Sequence, residues 1–235
     1  MHRSTRLFDF NIITDASKLK HLPSTTYESD PEPDEDGRPT FSDKYTFVVQ
    51  AFGIDEKGDT TSVWIHGFEP FVYIKVGDHW TEGIKRLFID EIKKAVKFPA
   101  SEGIRERQCR LIEKKTLYGF DNDKLHKFVL IKCSSVMCFN RVKDLWYTKY
   151  TPGGSRKLKD GYRFGGSLTR LYEAQVPPLL RLFHVKKISP TGWINLPTSA
   201  LDEPQERTTT CTYEYEIHYR HIVPDTKKET PVPYK

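Results

Sequence analysis

Residues 70–98 read PFVYIKVGDHWTEGIKRLFIDEIKKAVKF, and this stretch decides the fold because its hydrophobic period changes once. Between residues 71 and 76 apolar side chains alternate, with Val72, Ile74 and Val76 on one face, as in a β-strand. Residues 80–98 then place an apolar stripe at helical spacing, formed by Trp80, Ile84, Leu87, Phe88, Ile92 and Ala95. The stretch therefore predicts a strand followed by an amphipathic helix.

The alternation of strand and helix continues further along the chain. Residues 107–120 and 124–133 have the composition of two further strands, and residues 136–150 that of a second helix. A last strand near residues 168–174 completes the order strand, helix, strand, strand, helix, strand. This order predicts an α+β protein with a ferredoxin-like βαββαβ unit over about residues 70–174.

The remaining strands indicate a separate β module. Residues 43–66 have the pattern of a hairpin with apolar residues on both faces, and residues 192–196 and 209–222 supply further strands. A short helix is predicted over residues 177–187, because the two prolines at its start suit the first helical turn, where missing N–H groups cost nothing.

Composition indicates a globular protein with an uneven charge. Of the 235 residues 37% are apolar, which is adequate for a core, and the net charge is +5. Residues 84–163 contain twenty basic and nine acidic side chains, whereas residues 15–38 contain three basic and seven acidic ones. The basic part of the chain is therefore where we expect a polyanion to bind.

The first 42 residues are poorly patterned, and residues 27–40 are acidic, proline-rich and almost without apolar groups, which indicates a solvated loop. The sequence shows neither a signal peptide nor an apolar run of about 18 residues. Its four cysteines lack the C-x-x-C spacing: Cys109, Cys133, Cys138 and Cys211. We therefore expect free thiols, an intracellular location and no membrane partner.

A basic segment with interleaved aromatic residues is the strongest candidate for a binding site. Residues 151–167 read TPGGSRKLKDGYRFGGS, without the G-x-x-x-x-G-K-[ST] pattern of a phosphate loop. Its basic and aromatic side chains could follow a nucleic-acid backbone and stack on bases; they are Arg156, Lys157, Lys159, Tyr162, Arg163 and Phe164. The alternative interpretation is a plain solvated loop.

Catalytic constellations are missing from the sequence. No paired carboxylates suit two metal ions, because the dense acidic run lies in the predicted loop, and no cysteine–histidine spacing suits a metal. A nuclease or transferase would require folding to bring together distant residues such as Glu113, Asp121 and Asp144.

Four blocks of sequence resemble the N-terminal region of family B DNA polymerases, especially the delta-type enzymes and those of large DNA viruses. They occur in the same order and at similar spacing over about residues 43–224: HGFEPFVYIKV, KTLYGFDNDKLHKFVLI, LYEAQVPPLLRLFHVKKISPTGWINLP and TCTYEYEIHYRHIVP. The resemblance implies an OB-like β module combined with an RRM-like βαββαβ unit. Residues 225–235 would then be a linker toward an exonuclease domain.

The family's catalytic motifs do not occur in this sequence. Residues 89–91 read Ile-Asp-Glu rather than the Asp-Ile-Glu of the exonuclease, and the palm motifs that hold magnesium are missing. The resemblance therefore implies a scaffold and template-handling part of a replicative DNA-directed DNA polymerase, without a cofactor of its own. Its partners would be template DNA and the exonuclease and palm portion, in cis or in trans, at the site of DNA replication in a nucleus or viral compartment.

A second hypothesis belongs to another class of protein. The basic segment also suits a stand-alone module that binds single-stranded nucleic acid, whose affinity would fall steeply with salt.

Overall fold

The chain separates into two units in the computed structural model. One comprises Met1–Phe68 and Pro177–Lys235 and is called the β module here, and the other comprises Glu69–Val176 and is called the βαββαβ unit. The structure describes residues 2–19, 45–97, 100–116, 122–149, 156–173 and 175–226. The acidic loop predicted at residues 27–40 lies outside the described residues, as does most of the linker predicted at residues 225–235.

The strands and helices of residues 70–174 follow the predicted order, with one additional short strand at Tyr162–Phe164. The strands are β1 (His2–Asp15), β2 (Tyr45–Ile54), β3 (Thr60–His66), β4 (Phe71–Lys75), β5 (Arg110–Lys114), β6 (His126–Lys132), β7 (Tyr162–Phe164), β8 (Ser167–Tyr172), β9 (Trp193–Pro197), β10 (Tyr213–His218) and β11 (Val223–Asp225). The helices are α1 (Glu82–Val96), α2 (Val136–Asp144) and α3 (Pro178–Lys186). Two sheets with few helices confirm the α+β class, and α3 confirms the helix predicted after residue 177.

The sheet of the βαββαβ unit has the order β5-β6-β4-β8-β7, with every neighbouring pair antiparallel. The first and third strands of the repeat, β4 and β6, lie in the middle, as the ferredoxin-like prediction requires. The core contains alternate residues of these strands and the apolar sides of α1 and α2. Its largest fully buried side chains include Trp80, Phe88 and Trp146.

Helix α1 begins two residues later than predicted, where the Thr81 hydroxyl accepts a hydrogen bond from the Ile84 amide. Its buried side also differs from the prediction, because Leu87 is 63% exposed while Ile89 is fully buried. Lys85 lies on the buried side, where its ammonium group pairs with Glu82 at 2.5 Å and donates to the Cys109 carbonyl at 2.9 Å. Because these partners satisfy the charge, a lysine stem can cover the core.

Helix α2 ends at Asp144, several residues before the end predicted at residue 150. Residues 146–148 instead pair with residues 157–159: Lys159 N–H donates to the Trp146 carbonyl and Thr148 N–H donates to the Lys157 carbonyl, both at 2.8 Å. A long-range pairing of this kind ends a helix without any local signal in the sequence.

The six-stranded sheet of the β module corrects the interpretation of residues 1–42. Its order is β10-β3-β2-β1-β9-β11, so β1 lies inside the sheet between β2 and β9. The domain therefore does not begin at residue 43. Strand β1 escaped prediction because its apolar period is broken, with a register shift between Leu7 and Asp9 and an exposed Phe8.

A glycine allows this sheet to curl. Gly53 of β2 lies opposite Leu7 of β1 and Thr61 of β3. Above it, the buried hydroxyl groups of Thr5 and Thr61 meet at 2.5 Å, although β1 and β3 are not neighbours in the sheet. A Cβ atom at residue 53 would clash with the Thr5 hydroxyl and would lie 2.6 Å from the Arg6 carbonyl oxygen. Only glycine therefore permits this approach.

We expect Gly53→Ala to destabilise the protein by roughly 1–3 kcal/mol, because the added methyl group overlaps backbone that cannot move freely. Urea unfolding measures the change. Gly83→Ala is the matched control, since its Cβ would meet only the Thr81 hydroxyl at 3.8 Å, within the first turn of α1. There alanine should stabilise by about 0.5–1 kcal/mol. Equal effects of the two substitutions would contradict the steric role of Gly53.

Candidate nucleic-acid interface

The predicted basic segment begins against the end of α2. The Arg156 guanidinium donates to the Asp144 carboxylate at 2.6 Å and to the Thr148 carbonyl at 3.1 Å. The Lys159 ammonium group donates to the Leu145 carbonyl at 3.1 Å. A cation is favourable at the C-terminal end of a helix, where carbonyl groups lack partners. These two charges therefore stabilise the end of α2.

The two aromatic residues of the segment pack against the core of the βαββαβ unit. The ring of Phe164 lies 5.6 Å from Trp80 and 5.2 Å from Phe88. The Tyr162 hydroxyl donates to the Glu91 carboxylate at 2.8 Å, and burial with this bond raises the pKa of Tyr162 to about 12. Both rings are half-buried, so little of their surface remains for stacking on a base.

Lys157 and Arg163 differ from the other members of the segment. Both are exposed, and within the described part of the chain neither side-chain charge forms a hydrogen bond or an ion pair. The structure thus brings the six predicted residues onto neighbouring stretches of one unit, but only these two present uncommitted charge to solvent. Binding of nucleic acid by the segment stays a prediction.

A second aromatic surface lies on the sheet face opposite α1 and α2. Phe71, Tyr73, Phe128 and Tyr172 contact one another edge to face, with centroid separations of 5.3–6.5 Å. The Lys114 ammonium group lies 4.4 Å from the centre of the Tyr73 ring and donates to its hydroxyl. Phe128 is only 2% exposed, so it is a packing residue. Strand alternation placed Phe71 and Tyr73 together, whereas the cross-strand partners required the sheet register.

The carboxylates considered for catalysis do not form a cluster among the described residues. Asp144 is paired with Arg156, Glu113 is exposed on β5, and Asp121 lies outside the described residues. Within the described ranges no group of three histidine, cysteine, aspartate or glutamate side chains could hold a metal ion. The cysteines are free thiols, as predicted, and three of them are buried.

Two neighbouring carboxylates of β10 have opposite environments. Glu214 accepts hydrogen bonds from the Trp64 indole at 2.8 Å and from Thr208 and Thr209. Burial raises the pKa of Glu214, but these hydrogen bonds outweigh burial and the pKa is lowered. Glu216 is fully buried, and neither of its oxygens accepts a hydrogen bond from the described residues.

Glu216 is buried beside a histidine, and the pKa values of both groups are shifted. Burial, with a smaller contribution from Asp202, raises the pKa of Glu216 to about 7. His66 Nε2 lies 3.7 Å from this carboxylate. Burial, together with the nearby His218 and His221, lowers the pKa of His66 to about 4.

No helix of the described residues is long and apolar enough to cross a membrane.

Sequence comparisons identify known proteins to which this chain is similar. The sequence profile described as DNA polymerase family B, exonuclease domain, matches residues 169–235. The DNA polymerase of Phaeocystis pouchetii virus is 36% identical over 223 residues, which are 94% of this chain and 20% of that protein. The DNA polymerase delta catalytic subunit of Schizosaccharomyces pombe is 22% identical over 176 residues, covering 74% of this chain and 15% of the subunit.

A solved structure provides the corresponding comparison of folds. The family B DNA polymerase from the hyperthermophilic archaeon Pyrobaculum calidifontis matches 99% of this chain and 21% of its own, with a TM-score of 0.56 and 13% identity. The chain belongs to the family B DNA polymerases and is similar to those of large DNA viruses. It spans about a fifth of the length of the viral relative.

We expect Arg156→Ala and Lys157→Ala to have separable effects. Arg156→Ala should cost about 0.5–1.5 kcal/mol of stability, because it removes the ion pair with Asp144 and the hydrogen bond to the Thr148 carbonyl. Lys157→Ala should leave stability within about 0.5 kcal/mol. The logarithm of the binding constant for a single strand falls linearly with the logarithm of the salt concentration. If the segment binds single strands, Lys157→Ala should make this slope less steep by about 0.7. Urea unfolding and salt titration of oligonucleotide binding measure the two effects. An unchanged salt slope would remove Lys157 from the interface.

The two β10 carboxylates should respond oppositely to neutralisation. Folding retains a proton on Glu216 between its ordinary pKa and about 7, so this group lowers stability as pH rises through that window. His66, with its pKa lowered to about 4, raises stability as pH rises from there to its ordinary pKa. Glutamine has no proton to release in this window, so Glu216→Gln should not lose stability as the pH rises. We therefore expect it to be more stable than the unaltered chain by about 1–2 kcal/mol at pH 7.5.

Glu214→Gln is the matched control, because its carboxylate has hydrogen-bond donors. Its lowered pKa means that the charged form stabilises the fold above the ordinary pKa, so substitution should cost about 1–3 kcal/mol at neutral pH. Chemical unfolding at a series of pH values measures both variants. A Glu216→Gln variant that is less stable at pH 7.5 would show that the Glu216 carboxylate has a stabilising partner.

Proposed function

We propose that this chain supplies the N-terminal scaffold and template-handling part of a replicative DNA-directed DNA polymerase with 3′–5′ exonuclease activity. The observation that carries the proposal is the match of 94% of the chain to 20% of a viral DNA polymerase. The chain would act with the exonuclease and palm portion, in cis or in trans, where DNA is replicated in a nucleus or viral compartment.

The arrangement of side chains supports a scaffold rather than a catalyst. The aromatic residues of the βαββαβ unit mostly pack against one another, and most charges at the end of α2 are engaged in the fold. Lys157 and Arg163 are exposed cations suited to phosphate contacts, which position a strand without reading its sequence.

Magnesium is implied by the family but does not fit the residues that the structure describes. Two-metal phosphoryl transfer requires convergent carboxylates. The described residues include no such cluster, and Asp144 is neutralised by Arg156. We therefore assign the magnesium ions of the proposed enzyme to its exonuclease and palm domains, and no catalytic step is derived for this chain.

A segment exchange tests the scaffold function. The Phaeocystis pouchetii virus polymerase would be produced whole, without the matching segment, and with this chain in place of that segment. We expect deletion to lower primer extension and exonuclease rates at least tenfold and the exchange to restore most of the loss. An exchanged form carrying Gly53→Val, which disrupts the β module, is the control and should not restore activity.

The outcomes separate the two hypotheses. An exchanged protein that is folded by circular dichroism and thermal melting but remains inactive would count against the scaffold function, as would full activity of the deleted form. Tight, strongly salt-dependent binding of single strands by this chain alone would then favour the stand-alone binding module.

A further inference from the structure

The turn between α3 and β9 carries an exposed serine that is followed directly by a proline. The turn reads Ser189-Pro190-Thr191-Gly192, and its first three residues are exposed. The residues on either side are anchored, because Ile188 is 6% exposed and Trp193 is 4% exposed. Within the part of the chain that the structure describes, no other serine or threonine directly precedes a proline. The Ser189 hydroxyl therefore lies on a short exposed segment between two buried anchors.

Few contacts hold this turn. The Gly192 N–H donates to the Ser189 carbonyl at 3.0 Å, and the Leu7 N–H of β1 donates to the Gly192 carbonyl at 3.0 Å. The Ser189 hydroxyl itself forms no hydrogen bond with the described residues. A segment with so few bonds opens locally at low cost, so an enzyme can draw it into an extended conformation.

Two cations lie beside the serine. The Arg6 guanidinium of β1 donates through Nε to the Thr191 carbonyl at 3.2 Å, and its other N–H groups have no partner among the described residues. Lys187, two residues before Ser189, is exposed, and its ammonium group likewise has no partner in the described ranges. A guanidinium fork with free N–H groups matches the geometry of a phosphate. A phosphate on Ser189 would therefore find two uncommitted cations.

The surrounding charge favours a phosphate at this position. Residues 181–192 contain three basic side chains, Arg181, Lys186 and Lys187, and no acidic one. The C-terminal end of α3 disfavours an anion, but this effect falls off beyond the last turn of a helix. Ser189 lies past the end of α3, where Lys187 adopts the left-handed conformation with a φ of 55°. The nearby cations therefore outweigh the helix dipole.

We propose that Ser189 is a phosphorylation site for a proline-directed protein kinase and that Arg6 and Lys187 hold the phosphoserine. The Ser189 oxygen forms a bond to the γ-phosphorus of ATP while the bond from that phosphorus to the bridging oxygen breaks. ADP leaves, and the hydroxyl proton passes to the catalytic carboxylate of the kinase. The phosphate then ties the turn to β1 through charge-assisted hydrogen bonds. This site goes beyond the scaffold function and does not depend on it.

Phosphorylation of the full, folded chain tests the site. The chain would be incubated with magnesium, ATP and a cyclin-dependent kinase, and the modified residue identified by peptide mass spectrometry. We expect Ser189 to be the main site, and Pro190→Ala to lower its rate of modification at least about tenfold although the hydroxyl remains. Thr191→Ala is the control and should leave the rate unchanged. Modification confined to Thr151 or Thr230, which also precede prolines, or a rate that survives Pro190→Ala, would overturn the proposal.

Thermal melting of the phosphorylated and unphosphorylated forms tests the role of Arg6. We expect phosphorylation to raise Tm by about 2–4 °C, because it adds charge-assisted hydrogen bonds to a chain of this size. Arg6→Gln should be phosphorylated normally but lose most of this rise. Arg3→Gln removes the same charge three residues away on β1, so it should keep the rise. Because each variant is compared with its own unphosphorylated form, a general loss of stability cancels. A rise in Tm that survives Arg6→Gln, or no rise in the unaltered chain, would contradict the assigned phosphate contact.

Discussion

The approach of β1 to β3 over Gly53 is the contact on which the β module depends. Thr5 and Thr61 join strands that are not neighbours in the sheet, and they do so because the intervening strand carries no side chain at that point. The curl that results brings Arg3 against Tyr213. Side chains from opposite ends of the described sequence therefore line one cavity, which a flat sheet would leave far apart.

Strand β10 carries tyrosines on one face and glutamates on the other. Tyr213 and Tyr215 project to the cavity, while Glu214 and Glu216 project to the other side, as alternation along a strand requires. Hydrogen-bond donors stabilise the charge of Glu214, whereas Glu216 is buried without donors and its pKa rises. Burial alone does not set the charge of a carboxylate, since the local donors determine which form the fold favours.

The basic composition of the βαββαβ unit overstates the charge that is available for binding. Arg156 and Lys159 are engaged at the end of α2, and Lys85 lies against the core of its own unit. The sequence identified the segment correctly as basic and aromatic, but spacing does not reveal which cations have partners within the fold. That distinction depended on the pairing of residues 146–148 with residues 157–159, which are separated by a stretch outside the described residues.

The sequence by itself determined the α+β class, the order of elements in the βαββαβ unit, the helix after Pro177 and the polymerase family. Hydrophobic periods and four ordered sequence blocks are local signals, so they survive without a structure. Only the tertiary structure decided that β1 lies inside a sheet, that α2 ends at Asp144, and that Tyr162 and Phe164 pack against the core. These features arise from contacts between residues distant in sequence, and a local sequence pattern does not reveal such contacts.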